Sequence, residues 1–129
     1  MSKILTEISA GELLDKLSIL EIKLNKIKNP ALLKEIKKDY NIINEAKNKN
    51  INSSNEINVI YKDLKKINEQ LWEIEDKIRL CEKNSDFKDK FIQLARDVYL
   101  ENDKRSKIKL EINKVSGSNM QEIKQYTQY

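Results

Sequence analysis

The chain has 129 residues, a length typical of one domain, and 36% of them are charged, whereas two are glycine and one is proline. So few turn-forming residues disfavour a β-sandwich, a barrel or a doubly wound sheet, each of which needs many tight turns. The absence of histidine and the single cysteine, Cys81, exclude histidine acid–base catalysis, a disulfide framework and a cysteine-based zinc site, and the net charge is only +4.

Two helices are predicted in the first fifty residues, after an extended arm at residues 1–8. Ser9 and Glu12 have the spacing of a capping box, which satisfies free backbone amides of a first turn, so the first helix begins there. Asn29 and Pro30 end that helix and begin the second, because Asn is a good cap and Pro fits the first helical turn.

The third predicted helix is the longest and starts at a second capping box, formed by Ser53 and Glu56. Its apolar residues recur every three or four positions, which is typical of a helix packed lengthwise along a partner as in a coiled coil. Asn84 and Ser85 predict a tight break after it, with Ser85 capping the next helix. The apolar seam comprises Ile57, Ile60, Leu64, Ile67, Leu71, Ile74, Ile78 and Cys81.

A fourth helix is predicted from about Asp86 to Val115, and Gly117 ends it. Ser118 is expected to cap a short tail helix that ends at Tyr129. Two consecutive long helices joined by two or three residues must fold back as an antiparallel hairpin.

These elements predict an all-α fold, in which an elongated antiparallel hairpin of two long helices packs with a shorter N-terminal helical hairpin, like a four-helix bundle. We expect a single helical domain over residues 1–129. Its parts are the arm 1–8, the N-terminal hairpin 9–50, the long hairpin 53–116 and the tail 117–129.

Polar residues interrupt the seam of the fourth helix. The heptad places Glu101 and Arg105 where apolar residues belong, and because they lie four residues apart they can pair along the helix. In the predicted hairpin they face a polar stripe of the third helix that includes Trp72, the only tryptophan. The candidate ligand-binding residues are therefore Asn68, Trp72, Glu75, Arg79, Glu101, Asn102, Asp103 and Arg105, with Glu12, Asp15 and Lys16 as secondary candidates.

Three interpretations of this constellation remain open. A buried polar layer commonly fixes the register of helical hairpins. Alternatively, Arg79 and Arg105 hold a small anionic or polar ligand, with Trp72 as a platform, because the arginine fork binds anions bidentately. An enzyme would have to use Glu75, Glu101 or Asp103 as its acid or base, and no catalytic residue is assigned. We expect no metal and no cofactor.

Partners and location follow from charge and hydropathy. The lysine-rich stretch Lys23–Lys38 lacks arginine and stacking aromatics, so it predicts a solvated face rather than a nucleic-acid site. No apolar run approaches the roughly 20 residues that cross a bilayer, and no signal peptide opens the chain, which predicts a cytoplasmic protein. Apolar residues at the rim of a bundle favour a homodimer or another protein partner.

The strings SAGELLDKLSILEIK (Ser9–Lys23), LWEIEDKIR (Leu71–Arg79) and FIQLARDVYLENDKRSKIKLEIN (Phe91–Asn113) resemble a family of small bacterial and phage helical proteins catalogued as a domain of unknown function. The resemblance covers nearly the whole chain, departs at Ala10, where relatives usually have Pro, and implies no activity. Its motif positions are Gly11, Glu12, Asp15, Lys16, Trp72, Glu75, Asp76, Arg79, Arg96, Asn102, Asp103 and Arg105. The leading hypothesis is a non-enzymatic interaction or assembly module of otherwise unknown function, and the alternative is a small-ligand-binding domain.

Overall fold

The computed structural model describes residues 2–129, which form four α-helices and, within that range, no strand. The helices are α1 (Ala10–Lys26), α2 (Pro30–Asn50), α3 (Asn55–Lys83) and α4 (Asp89–Ser116). Helices α3 and α4 form the long hairpin, α1 packs on both of them, and α2 packs on α1. The predicted all-α, four-helix architecture is confirmed. No helix in residues 2–129 is both long and apolar enough to cross a membrane.

The helices begin largely where their caps predict. The Ser9 Oγ accepts a hydrogen bond from the Glu12 amide at 3.0 Å, and the Asn29 side chain accepts from the first amides of α2. The predicted cap of α3 at Ser53 is wrong by one residue, since Ser54 takes the extended conformation and accepts from the Ile57 amide. Residues 2–9 carry neither helix nor strand, and Met1, the first residue of the predicted arm, lies outside the described residues.

The turn between the long helices is longer than predicted. It spans residues 84–88, so α4 begins at Asp89 rather than at Asp86. The Asp86 carboxylate accepts a hydrogen bond from the Lys88 amide at 3.2 Å, which holds this segment in a turn instead of a helix. Ser85 does not cap α4; it lies in the turn with a positive φ of 54°.

The core lies between α1, α3 and α4. Helix α2 contributes no buried residue, and its Tyr40, Ile43 and Ala46 only pack half-buried against the core. The tertiary packing that normally stabilises a helix is therefore thinnest at α2. The buried core cluster comprises Leu13, Leu14, Leu17, Ile51, Ile57, Ile60, Leu64 and Ile112.

The loop end of the α3–α4 hairpin extends past α1. The last residue of α1, Lys26, pairs with Glu73 at 3.0 Å, and beyond this level α3 and α4 pack on each other. We call residues 74–99 the distal arm. Within it only Cys81 and Leu94 are buried, so its seam excludes much less water than the core does.

The start of α1 is pressed against the backbone of α4 at Gly11. A Cβ atom at this position would lie 2.5 Å from the carbonyl oxygen of Lys109, which is closer than real Cβ contacts. The Gly11 amide also donates to the Asn113 side chain at 2.6 Å. Only glycine therefore allows this approach of the two helices.

The tail after α4 caps α1 instead of forming a helix of its own. The predicted tail helix is wrong, because residues 117–129 contain no helix. The Ser118 Oγ accepts from the Ala10 amide at 3.0 Å, and Glu122 accepts from the Ser9 amide at 3.3 Å. These contacts satisfy amides at the start of α1 that an isolated helix would leave free. Ser118 is thus a cap, although of a helix more than a hundred residues earlier in the chain.

Candidate functional site

A buried ion pair joins α1 to α4. Asp15 is 1% exposed, and the guanidinium of Arg105 grips it with two parallel bonds, Nε to Oδ1 at 2.9 Å and Nη2 to Oδ2. Asn68 of α3 donates a third hydrogen bond to Oδ1 at 2.8 Å. One carboxylate therefore connects three helices, in the bidentate geometry that arginine supplies and lysine does not.

Neighbouring side chains complete this arrangement, which we call the α1 polar network: Glu12, Asp15, Ser18, Asn68, Arg105 and Lys109. The Lys109 ammonium pairs with Glu12 and lies 3.7 Å from Asp15. The Ser18 hydroxyl donates to the Asp15 carbonyl at 2.8 Å and accepts from Asn68 at 2.7 Å. The buried polar groups are thus paired with one another, which a low-dielectric interior requires.

The network holds its carboxylates in the charged form. Burial by itself raises the pKa of Asp15, but hydrogen bonds from Arg105 and Asn68, together with the nearby positive charges, outweigh it and lower the pKa below the ordinary 3.8. The same contact raises the pKa of Arg105. The pKa of Glu12 is likewise lowered, because the bond and charge of Lys109 outweigh burial.

The predicted pair between Glu101 and Arg105 does not form. Glu101 pairs instead with Lys104 at 3.0 Å through Oε1, while its Oε2 is buried and has no hydrogen-bond partner among residues 2–129. Arg105 turns to Asp15, because α1 lies across this part of the seam and offers a buried carboxylate in bidentate geometry.

A cleft of about 440 Å³ opens beside the network, between α1, α3 and α4. We call it the Trp72 cleft. It brings together six of the eight first-rank candidates, and α1 supplies apolar side chains to its wall. The lining residues are Ile19, Ile22, Asn68, Leu71, Trp72, Glu75, Asp76, Arg79, Asn102 and Arg105.

The positive charges of the Trp72 cleft are compensated. Arg79, whose side chain is 71% exposed, pairs with Glu75 one turn earlier on the same helix. Arg105 is engaged by Asp15, and its remaining Nη1 lies 3.3 Å from the Asn102 side chain. Neither arginine is left as an unpaired cation facing the cleft.

The remaining candidates lie elsewhere. Glu101 and Asp103 line a separate groove between α4 and the tail, where Asp103 accepts a hydrogen bond from Tyr129. Lys16 lies in a groove between α1 and α2, 3.6 Å from Glu12. The structure therefore separates these three residues from the Trp72 cleft.

Sequence reasoning missed Lys109 and Ser18, although a signal was present. Arg105, Lys109 and Asn113 recur every four residues, so they form one polar stripe of α4, and this stripe faces α1. On α1, Asp15 and Ser18 share a face in the same way. Matching polar stripes on two helices would have indicated their contact.

Comparison with known proteins identifies a family but no function. A family model described as a family of unknown function, DUF6165, matches residues 4–129, and the chain belongs to that family. No curated protein and no solved structure matches the chain. The expected resemblance to a domain of unknown function is confirmed, and the interpretation of the site depends on its geometry.

The two arginines of the Trp72 cleft are expected to respond differently to the same substitution. Arg105→Lys loses one of two parallel bonds to a buried carboxylate and should lower the free energy of unfolding by about 2 kcal/mol. Arg79→Lys alters an exposed surface pair and should leave it unchanged within error. Urea unfolding followed by helical circular dichroism measures both variants. Equal effects at the two positions would contradict a structural role for Arg105.

Asp15 should make stability depend on pH in the acid range. Because its folded pKa lies below the ordinary 3.8, its contribution is complete above about pH 4 and is lost as the pH falls toward the folded value. The stability difference between the wild type and Asp15→Asn should therefore shrink below about pH 4. Urea unfolding from pH 7 to pH 2.5 tests this, with the exposed Asp63→Asn as control. A difference that stays constant over this range would show that Asp15 is not held charged by the network.

Proposed function

We propose that this member of the DUF6165 family is a non-enzymatic helical interaction module, and that its distal arm binds a protein partner. The observation that carries the proposal is the exposure of large apolar side chains around the loop. Leu80, Phe87 and Ile92 are each about half exposed, at 52%, 51% and 52%. Clustered exposed apolar residues typically mark surfaces that bind another protein.

The weak packing of the distal arm supports this role. The sequence pattern continues the coiled-coil seam into the arm, yet only Cys81 and Leu94 are buried there. Fully burying a large apolar side chain stabilises by about 1.5–3 kcal/mol. Because these side chains are only half buried in the single chain, a substantial part of this stabilisation is available when a partner covers them. A partner helix laid along the arm would recover it, as in helix-in-groove recognition.

The state of the polar residues also supports a binding role over catalysis. Asp15 and Arg105 are bonded to each other, and Arg79 is bonded to Glu75. A general acid or base needs a carboxylate that is free to exchange a proton with a substrate. Asp15 is instead a sealed contact between helices.

The single cysteine bears on location. Cys81 lies on the seam of the distal arm, is 3% exposed and is the only cysteine of the chain. Free thiols persist in reducing compartments. We therefore propose a cytoplasmic location for the protein.

Site-specific photo-crosslinking in the host tests the distal arm. A benzophenone side chain placed at Leu80 or at Ile92 should yield a discrete adduct with another protein, because both positions are half exposed on the proposed surface. The same group at Lys62, exposed on the proximal part of α3, should yield none. Mass spectrometry of the adduct identifies the partner. The absence of an adduct at both arm positions, or an adduct only with a second copy of this chain, would contradict the proposal.

A second candidate function, the binding of a small polar ligand, is favoured by the Trp72 cleft. Its volume of about 440 Å³ lies in the range of small-molecule sites, and it combines apolar walls with an indole and amide groups. Since Arg79 and Arg105 are both paired with carboxylates, the cleft favours a neutral or zwitterionic ligand over a simple anion.

Intrinsic fluorescence provides a direct test of the cleft, because Trp72 is the only tryptophan. Free amino acids, as zwitterionic probes, are expected to change its emission in a saturable way, and inorganic phosphate is not. Asn102→Ala should weaken the response at least fivefold, since it removes an amide from the cleft, whereas the exposed Asn58→Ala should leave it intact. Unchanged emission with every probe, or an unaltered response in Asn102→Ala, would eliminate this candidate.

A further inference from the structure

Helix α2 is covered on one side only. It is 21 residues long, has no buried residue and, among the helices, contacts α1 alone. Its Leu32 and Ile42 are 54% and 57% exposed. A helix normally buries an apolar face against each neighbouring element that it contacts. Because α2 contacts only α1 among the helices, its outer side is unpartnered in the single chain.

A groove of about 380 Å³ runs between α1 and α2 on this uncovered side. Its floor is apolar and consists of Ile19, Leu20, Ile42 and Ile43. Such a floor favours a second apolar surface as its occupant, because burying it against another protein removes this area from water.

The two edges of this groove carry opposite charge. The α1 edge presents Lys16 and Lys23, whereas the α2 edge presents Asp39, with Glu35 one turn before it on the same helix stripe. Within residues 2–129, Lys23, Glu35 and Asp39 have no salt-bridge partner within 4.0 Å. The groove is thus lined by two lysines on its α1 edge and by one aspartate on its α2 edge, and of these Lys23 and Asp39 are unpaired within the described residues.

We infer that this groove is an interface between two copies of the chain. A two-fold axis through the groove places the α1 edge of each copy, with its lysines, against the α2 edge of the other copy, with its aspartate. The same axis brings the two apolar floors into contact. A nucleic acid or an anionic membrane surface is negatively charged, so it would be matched by a groove whose two edges are both positive. The opposite edges therefore favour a second copy as the occupant.

The size of the face agrees with a reversible dimer. At 1.5 Å per residue the 17 residues of α1 span about 25 Å, and two adjacent helices are about 20 Å wide. The face would then bury about 500 Å² on each copy, or about 1,000 Å² in total, the lower end for specific interfaces. We therefore expect association in the micromolar range, weakened by salt because charge pairs contribute.

Sedimentation equilibrium between 5 and 200 µM tests this dimer. The wild type should pass from 15.2 kDa to twice that mass over this range. Ile42→Glu should remain monomeric throughout, since it places a charge on the apolar floor. Val59→Glu on α3 is the matched control, because Val59 is also 57% exposed, and it should dimerise like the wild type.

A charge exchange adds a specific signature. Lys23→Glu alone should weaken the dimer about tenfold, and adding Asp39→Lys in the same chain should restore it, because the two positions meet across the two-fold axis. A wild type that stays monomeric at 200 µM, or a dimer broken by Val59→Glu but not by Ile42→Glu, would overturn the inference. So would a double variant no better than Lys23→Glu.

This interface is independent of the distal arm, so each proposal can fail alone. The Ile42→Glu variant should keep the adducts formed from Leu80 and Ile92, because α2 and the distal arm share no residue. Loss of those adducts in this variant would show that the two surfaces are one, and would also overturn the inference.

Discussion

The bidentate contact between Asp15 and Arg105 is the interaction on which the arrangement of this molecule depends. A buried ion pair contributes little net stability compared with an apolar pair of the same shape, because both charges must lose their water. Its specificity is high, however, since a docking of α1 that buried one of these charges without the other would leave it unpaired. The pair therefore determines where α1 lies on the hairpin, with Asn68 adding the contact to α3.

The cleft and the placement of α2 follow from the position of α1. Its side chains Ile19 and Ile22 form a wall of the Trp72 cleft, so the cleft exists only when α1 is docked. Among the helices α2 contacts α1 alone, and the loop end of the distal arm extends beyond the last residue of α1. The close approach at Gly11 and the cap from Ser118 hold the other end of the same helix.

This organisation changes how the charge of the chain is interpreted. The charged residues that interrupt the heptad look functional in the sequence, but the structure pairs Arg105 with Asp15 and leaves Glu101 beside Lys104. Large apolar side chains stay exposed at the loop end of the distal arm and on α2, among other places. Unsatisfied apolar surface favours association, whereas paired charges favour a defined fold. For this reason the proposed interaction role rests on the apolar surfaces rather than on the polar network.

Local chemistry explains what could be predicted from the sequence alone. The caps at Ser9 and Asn29 and the heptad of α3 depend on residues that lie within seven positions of one another. The sequence alone could therefore predict the helices and the hairpin. It could also predict six of the candidates that α3 and α4 contribute to the cleft. The partner of Arg105 could not, because Asp15 lies 90 residues away and Glu101 had an equally suitable spacing. Only the tertiary position of α1 decides between Asp15 and Glu101 as the partner of Arg105. A buried carboxylate placed for two parallel hydrogen bonds binds a guanidinium better than a neighbour on the same helix surface does. The tail followed the same rule: Ser118 is a local capping signal, but the free amide of Ala10 was available to it only after folding.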